Sequence, residues 1–334
     1  MNGVIFISED KLFLTYNQQM RRLRNNKQII CNGSSHKKIL VRAGYFNIVN
    51  GYKNPFISGR DSNGVHSYIS GTSIDQLQAV KKFDDLLRSF LLQYITQIEE
   101  EMRTLAGYKF DECNDNGNIP WYNTEAYSPN KSLQEKMGVI SKAYSELSRS
   151  QLDYVSFYMK NHKQIPTWIM FKVINFSTFI DVIKYSKMDV SHSLCNLYGL
   201  YDKNGFPNVK LLVGSLHWMR KIRNSCAHNE RVYCLTRKSG RIVENYLDQL
   251  SAGYRRKSEQ KLFDLFIYFK YYLPTNEYKQ FINELKGMLN NLQGKIHPHA
   301  FDYVRGQIGI HNLSHLDSLL NMQKDEIEYN KFDK

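Results

Sequence analysis

The sequence predicts an all-α protein, and three observations carry that prediction. From Ser73 to about Tyr108 the apolar positions, among them Leu77, Val80, Leu87, Leu91, Ile98 and Met102, recur about every 3.5 residues, as on one face of a long helix. Two capping-box patterns, Thr15-x-x-Gln18 and Ser132-x-x-Glu135, stand directly before helical runs. The segment IPTWIMFKVINFSTFIDVIKYS carries apolar residues on most faces behind Pro166, a residue suited to a first helical turn. A helix of that kind is buried centrally.

Each element follows in order. Thr15 opens a basic helix through about Asn26. A second helix is expected from Ser35 to about Asn50, and GYKNPFISGRDSNG then breaks it with Gly, Pro and Asn. After the long helix, turn-rich DECNDNGNIPWYNTEAYSPN leads to the helix capped by Ser132, expected to carry Met137, Ile140, Tyr144, Leu147, Val155 and Tyr158. The Pro166 segment comes next, and GLYDKNGFPN turns the chain into an apolar run, LLVGSLHWMRKI. Beyond Gly240, KSEQKLFDLFIYFKYYL and NEYKQFINELKGMLNNL read as two helices parted by Pro274, and the tail from IHPHAFDYVRGQIGIHNL is less regular. Charge balance and helix length both change near residue 70, which sets a boundary between residues 1–70 and 71–334.

Composition narrows the class of function. The chain has 334 residues, enough for one large or two modest domains. No run approaches the roughly 18 apolar residues of a membrane span, and MNGVIFISEDKLF lacks the basic start of a signal peptide. Five scattered cysteines without a CxxC pair point to reduced thiols in a cytoplasmic protein and speak against a structural zinc. No Gly-rich phosphate loop, catalytic carboxylate pair or His/Cys metal cluster is visible, so no cofactor and no metal are expected.

Net charge is +13, and its placement is uneven. From Lys11 to Arg60 there are ten Lys and Arg and no Asp or Glu, with Tyr16, Tyr45, Phe46, Tyr52 and Phe56 interleaved. Cations mixed with stacking rings form the footprint of a nucleic-acid surface; the plainer reading is a solvated basic face. Arg21, Arg22, Arg24 and Lys27 crowd the first helix, and Lys37, Lys38 and Arg42 crowd the second. These seven are the expected RNA contacts.

The segment RNSCAHNERV ends the apolar run before it, and its chemistry is distinctive. Arg223 and His228 stand at an R-x4-H spacing. Cleaving RNA without a metal needs a base for the 2′-OH proton, an acid for the leaving 5′ oxygen, and positive charge on the phosphate. Histidine titrates near pH 6.5 and arginine stays charged with a two-pronged donor fork. Asn224, four residues before His228, shares its helical face. Two other Arg/His pairs have similar spacing, Arg60/His66 in a turn-like loop and Arg305/His311 across two glycines. Only the middle one continues an apolar helix and has Asn directly after the Arg. A solvated helix end with an incidental histidine is the bland alternative. Trp121, Trp168 and Trp218 are expected in the core, Cys226 in packing, and His217 on another helical face in a structural role.

Pro166-x-Trp168, Leu197-Tyr198 and RKIRNSCAHNERVY closely resemble the abortive-infection (AbiD/AbiF-type) family of bacterial phage-defence proteins. LTYNQQMRRLRNNKQII, LVRAGYFNIVNGYKNPF and Ile98-Glu99…Met102-Arg103-Thr104 are similar to other parts of the same family. The resemblance is spread over residues 12–233 and implies a HEPN-superfamily helical RNase domain, here 71–334 with a C-terminal helical extension. It further implies a composite site from two R-x4-6-H helices, hence a homodimer, and a small structured non-coding RNA as partner or antitoxin. By position, Arg223 and His228 become the catalytic pair and Asn224 their companion. Glu99 and Arg103 read as an ordinary i,i+4 ion pair, with bracing of the site as the alternative. The expectation is therefore a cytoplasmic, metal-independent endoribonuclease toxin. An inert RNA-binding protein on the same scaffold and a helical DNA-binding regulator are its rivals.

Overall fold

The computed structural model describes residues 13–60, 62, 64–202, 204–237 and 259–321. Lys11 and the start of the run from Lys257 lie outside them. Among the described residues the fold is all-α, as expected, apart from one two-stranded antiparallel hairpin. The chain divides into two compact units, residues 1–86 with 287–304 and residues 87–286 with 305–334.

In the first unit the capping box forms as predicted. Thr15 N–H donates to Gln18 Oε1 at 2.8 Å, and Thr15 Oγ1 accepts the Gln18 amide, opening α1 (Tyr16–Lys27). The next helix, α2 (Gly33–Ala43), stops seven residues earlier than the sequence suggests, because Gly44 turns to φ +76°, a conformation that glycine adopts freely. A π-helical turn covers Phe46–Asn50 instead. The Gly/Pro/Asn-rich breaker contains strand β1 (Ile57–Arg60), which pairs with β2 (His66–Tyr68) just beyond it, and the helical expectation includes neither strand. Arg60 pairs with His66 across that ladder, so this Arg/His spacing is a hairpin register and not a helix face. Leu23, Ile29, Leu40, Ile48, Phe56 and Leu77 are fully buried.

The long helix is α3 (Ile74–Glu112), whose 39 residues contribute to both units. In the second unit Ser132 and Glu135 form their capping box at the head of α4 (Leu133–Ser148). Two expected helices prove to be pairs. The run containing Val155 and Tyr158 is separate, as α5 (Asp153–Asn161). The Pro166 segment divides into α6 (Thr167–Val173) and α7 (Phe176–Tyr185), with Pro166 at the N-cap position ahead of the first turn. Ile174 and Asn175 are extended between them, with ψ of 145° and 153°. That break is held by tertiary contacts. Glu146 accepts from Asn175 N–H and Thr178 Oγ1, both at 2.7 Å, and so caps α7 from another helix.

Next come α8 (Met188–Tyr198) and α9 (Val209–Ala227), and α9 packs against α7, α8 and α10 (Leu262–Tyr272). Leu211, Leu212, Leu216, Trp218, Met219 and Ile222 of α9 are fully buried. Each such side chain contributes about 1.5–3 kcal/mol through burial. Trp121 is buried with Trp218, but Trp168 is 58% exposed, which corrects its assignment to the core. The helix α11 (Thr275–Gln293) follows Pro274, and the tail is more regular than expected, as α12 (Pro298–Ile308) and α13 (Ser314–Asn321). Gly309, at φ +100°, ends α12, where the Arg305 guanidinium donates to the His311 carbonyl. This third Arg/His pair is thus a helix stop.

The capping role of Glu146 can be tested directly. Glu146→Ala should lower the unfolding free energy by roughly 2 kcal/mol, the worth of a lost cap with charge-assisted bonds, and Glu146→Gln should lose less. Urea titration of the three proteins checks it; equal midpoints would leave the α6–α7 break without its proposed support.

Candidate functional site

Helix α9 is divided lengthwise by chemistry. At about 100° per residue its buried positions turn one way, while His217, Lys221, Asn224 and His228, spaced four, three and four apart, turn the other. With Arg220 and Arg237 they line an open hollow of about 640 Å³. His217 therefore shares the face of the motif, which corrects its placement on a different one. Burial, then Arg220 and Arg237, push the His217 imidazole below its ordinary pKa, so it is neutral at pH 7. Asn224 and His228 are exposed at the end of the hollow nearest the helix terminus. The one carboxylate in the lining, Glu230, accepts from Ser225 Oγ at 2.7 Å.

The helix stops through its backbone in a way that explains the residues after Ala227. Glu230 N–H donates to Ser225 O at 2.9 Å and Asn229 N–H to Cys226 O at 3.2 Å. This is a Schellman closure, with Asn229 at φ 59° in the left-handed position that glycine usually fills. Asparagine tolerates that conformation better than most side chains. Arg88 Nη1 donates to the Glu230 carbonyl at 3.1 Å, tying the closure to α3. His228 is the C-cap residue, its amide bonded to Asn224 O at 2.9 Å, so its ring is carried by a fixed backbone. Cys226 is buried, in keeping with packing.

Arg223 is not among the residues lining the hollow; it leans towards α3. Its Nε lies 3.7 Å from Glu99 Oε2, and Nη1 is 3.5 Å from Asn224 Oδ1. Glu99 is 7% exposed and takes two bonds on Oε1 from Arg103, at 3.0 and 2.6 Å. Arg103 Nη1 also donates to the carbonyls of Phe171 and Ile174, the latter at 2.8 Å, at the end of α6. One buried carboxylate thus lies between two guanidiniums, and the Glu99–Arg103 pair braces the motif. It is more than the surface i,i+4 pair the spacing suggests. Burial lowers the Arg103 pKa, with Glu99 opposing, yet a guanidinium stays charged.

The seven cations expected to contact RNA lie on α1 and α2, far from the motif in sequence. Arg24 Nη1 is bonded to Cys31 O at 2.6 Å, and Lys27 Nζ sits 5.8 Å over the Tyr68 ring. Arg21, Lys38 and Arg42 are exposed, and Arg22 and Lys37 half-buried. Among the described residues no three His, Cys, Asp or Glu side chains are grouped to hold a metal ion. No described helix is long and apolar enough to cross a membrane.

Two substitutions test this local construction. Removing the shared carboxylate by Glu99→Ala should cost roughly 3 kcal/mol, because Arg103 is left buried and unpaired. Urea unfolding at neutral pH measures it, and an unchanged midpoint would reduce the brace to a surface pair. Asn229→Gly should be nearly neutral, whereas Asn229→Val should destabilise by about 1–3 kcal/mol through left-handed strain. Thermal unfolding separates the two, and equal melting would show that the closure does not depend on Asn229.

Among family models, that of the Abi-like protein matches residues 38–234. No curated protein and no solved structure matches the chain. The matched span exceeds half of the 334 residues and includes Glu99, Arg103, Arg223, Asn224 and His228, while α1 and the helices after Cys234 lie outside it. The chain belongs to the Abi-like protein family, the group named for abortive infection of phage-attacked bacterial cells.

Proposed function

We propose that this chain is an abortive-infection endoribonuclease of HEPN type that cleaves RNA at the end of α9. The observation that carries the proposal is the pairing of an exposed Asn224 and His228 with an Arg223 held by a buried brace. A merely solvated helix end gains nothing from such a brace. In the reaction an imidazole removes the proton from the RNA 2′-OH, and that oxygen attacks the adjacent phosphorus. The bond from phosphorus to the 5′ oxygen breaks, and a second imidazole protonates the departing oxygen. The products are a 2′,3′-cyclic phosphate and a 5′-hydroxyl end. Arg223 offsets the charge that builds on the phosphate oxygens, and Asn224 orients the ring or the phosphate.

The second imidazole comes from a second copy of the chain. His217 is 11 residues before His228, about 16 Å along the helix axis, too far to serve the same phosphate. A two-fold axis that brings two α9 ends together supplies the missing group. Arg21, Lys38 and Arg42, exposed on a region devoid of carboxylates, grip a structured RNA as substrate or as a small non-coding partner.

His228→Ala and Arg223→Ala should each lower cleavage of total RNA by about 10² to 10⁴, with melting temperature and EDTA insensitivity unchanged. Wild-type cutting by both variants would remove the enzyme reading. Folded variants with normal RNA binding, alongside a wild type that never cuts, would favour an inert RNA-binding scaffold. Light scattering that finds only monomer, with and without RNA, would refute the composite site. Reversing Arg21, Lys38 and Arg42 together should reduce the slope of log affinity against log salt by about 2 to 3, at about 0.7 to 0.9 for each phosphate contact. An unaltered slope would leave α1 and α2 as plain solvated surface, and equal binding of DNA and RNA would favour a DNA-binding role.

A further inference from the structure

The hollow on α9 is larger than a single scissile phosphate needs, and its cations lie on the side away from the helix terminus. Arg237 reaches back along the helix, donating from Nη1 to Gly214 O at 3.0 Å. Lys221 Nζ donates to Thr236 O at 2.6 Å. Both contacts leave further N–H donors on each cation. Arg220 differs: it is half-buried, and it makes no hydrogen bond or ion pair among the described residues. A half-buried guanidinium beside a second one is repelled unless an anion joins them. Glu230, the carboxylate in the lining, is engaged at one oxygen by Ser225. Arg220 lies one helical turn, about 6 Å, from Asn224.

We propose that this hollow is a second phosphate subsite, which takes the backbone phosphate next along a single-stranded RNA from the one cleaved at His228. Arg220 and Arg237 are its guanidinium ligands, Lys221 closes its outer edge, and His217 supplies a hydrogen bond. The subsite rests on the ribonuclease reading for its ligand, though its geometry does not depend on that reading. It sets the direction of the strand: the RNA runs along α9 from His228 towards His217. Neutral His217 suits this place, because an uncharged ring adds a hydrogen bond without adding a charge to the cluster. It also makes a tract of unpaired RNA the preferred substrate, since both phosphates must lie along one open helix face.

The test is made on the full-length His228→Ala protein, which holds RNA without cutting it. The ligand is a single-stranded 2′-O-methyl oligonucleotide, and affinity is followed by fluorescence anisotropy from about 50 to about 200 mM salt. Adding Arg220→Gln should weaken binding about tenfold and lower the salt slope by about 0.7. Arg220→Lys should recover most of both. Among the described residues Arg220 has no bond to lose, so melting should not change; adding Lys221→Gln should lower the slope by about 0.7 again. Identical affinity and slope for the Arg220→Gln protein would overturn the subsite, whatever the wild type does to RNA. Conversely, a wild type that never cuts RNA yet binds through Arg220 would sink the nuclease reading and retain the subsite. Tripolyphosphate is the second arm. Binding of tripolyphosphate as tight as that of the oligonucleotide and equally dependent on Arg220 would mean a free polyphosphate site, and would overturn the RNA assignment.

Discussion

The contact on which most of the second unit depends is the buried pair of Glu99 and Arg103. Taken alone, burying a carboxylate and a guanidinium is costly, and their attraction offsets that cost only when every remaining donor and acceptor is used. Here nearly all are used. Arg103 spends its donors on Glu99 and on the carbonyls that end α6, so it substitutes for the backbone bonds lost where the chain breaks before α7. The second oxygen of Glu99 faces Arg223. A single pair thus joins the long helix, the α6–α7 corner and the motif helix, and each needs the others in place.

The same economy governs the end of α9. Its apolar side is consumed by packing against α7, α8 and α10, which leaves one stripe of polar residues for the surface. The Schellman closure at Asn229 stops the helix abruptly, so the terminal histidine is carried on a constrained backbone without frayed turns beneath it. Glu230, the carboxylate in the lining of the cationic hollow, is held in place by Ser225. The polar residues that close the motif divide into two jobs. Asn229 and Glu230 shape the turn, and Asn224 and His228 face outward.

Legibility followed the range of the interactions. Capping boxes at Thr15 and Ser132 and the period of α3 are set by residues three or four apart, and they appear where the sequence places them. The hairpin of Arg60 and His66 was hidden because its strands are short and one pairs through a bulge, so no alternation of apolar residues marks it. The division of the Pro166 segment was hidden because Glu146 and Arg103, remote in sequence, satisfy the backbone groups that an uninterrupted helix would have satisfied itself. Residue type alone puts Trp168 in the core, but type predicts average burial and not a particular face, and Trp168 is exposed.

By itself the sequence determined the helical class, the family signature, the acid-free basic region and the Arg223, Asn224 and His228 set, because each is written in residue identity and local spacing. Only the tertiary structure decided that Glu99 reaches Arg223, that His217 and Arg237 share a hollow with the motif, and that Arg24 is tied to its own loop. Those facts depend on distances between residues up to about a hundred and twenty positions apart, which are set by how helices pack and not by any pattern along one of them.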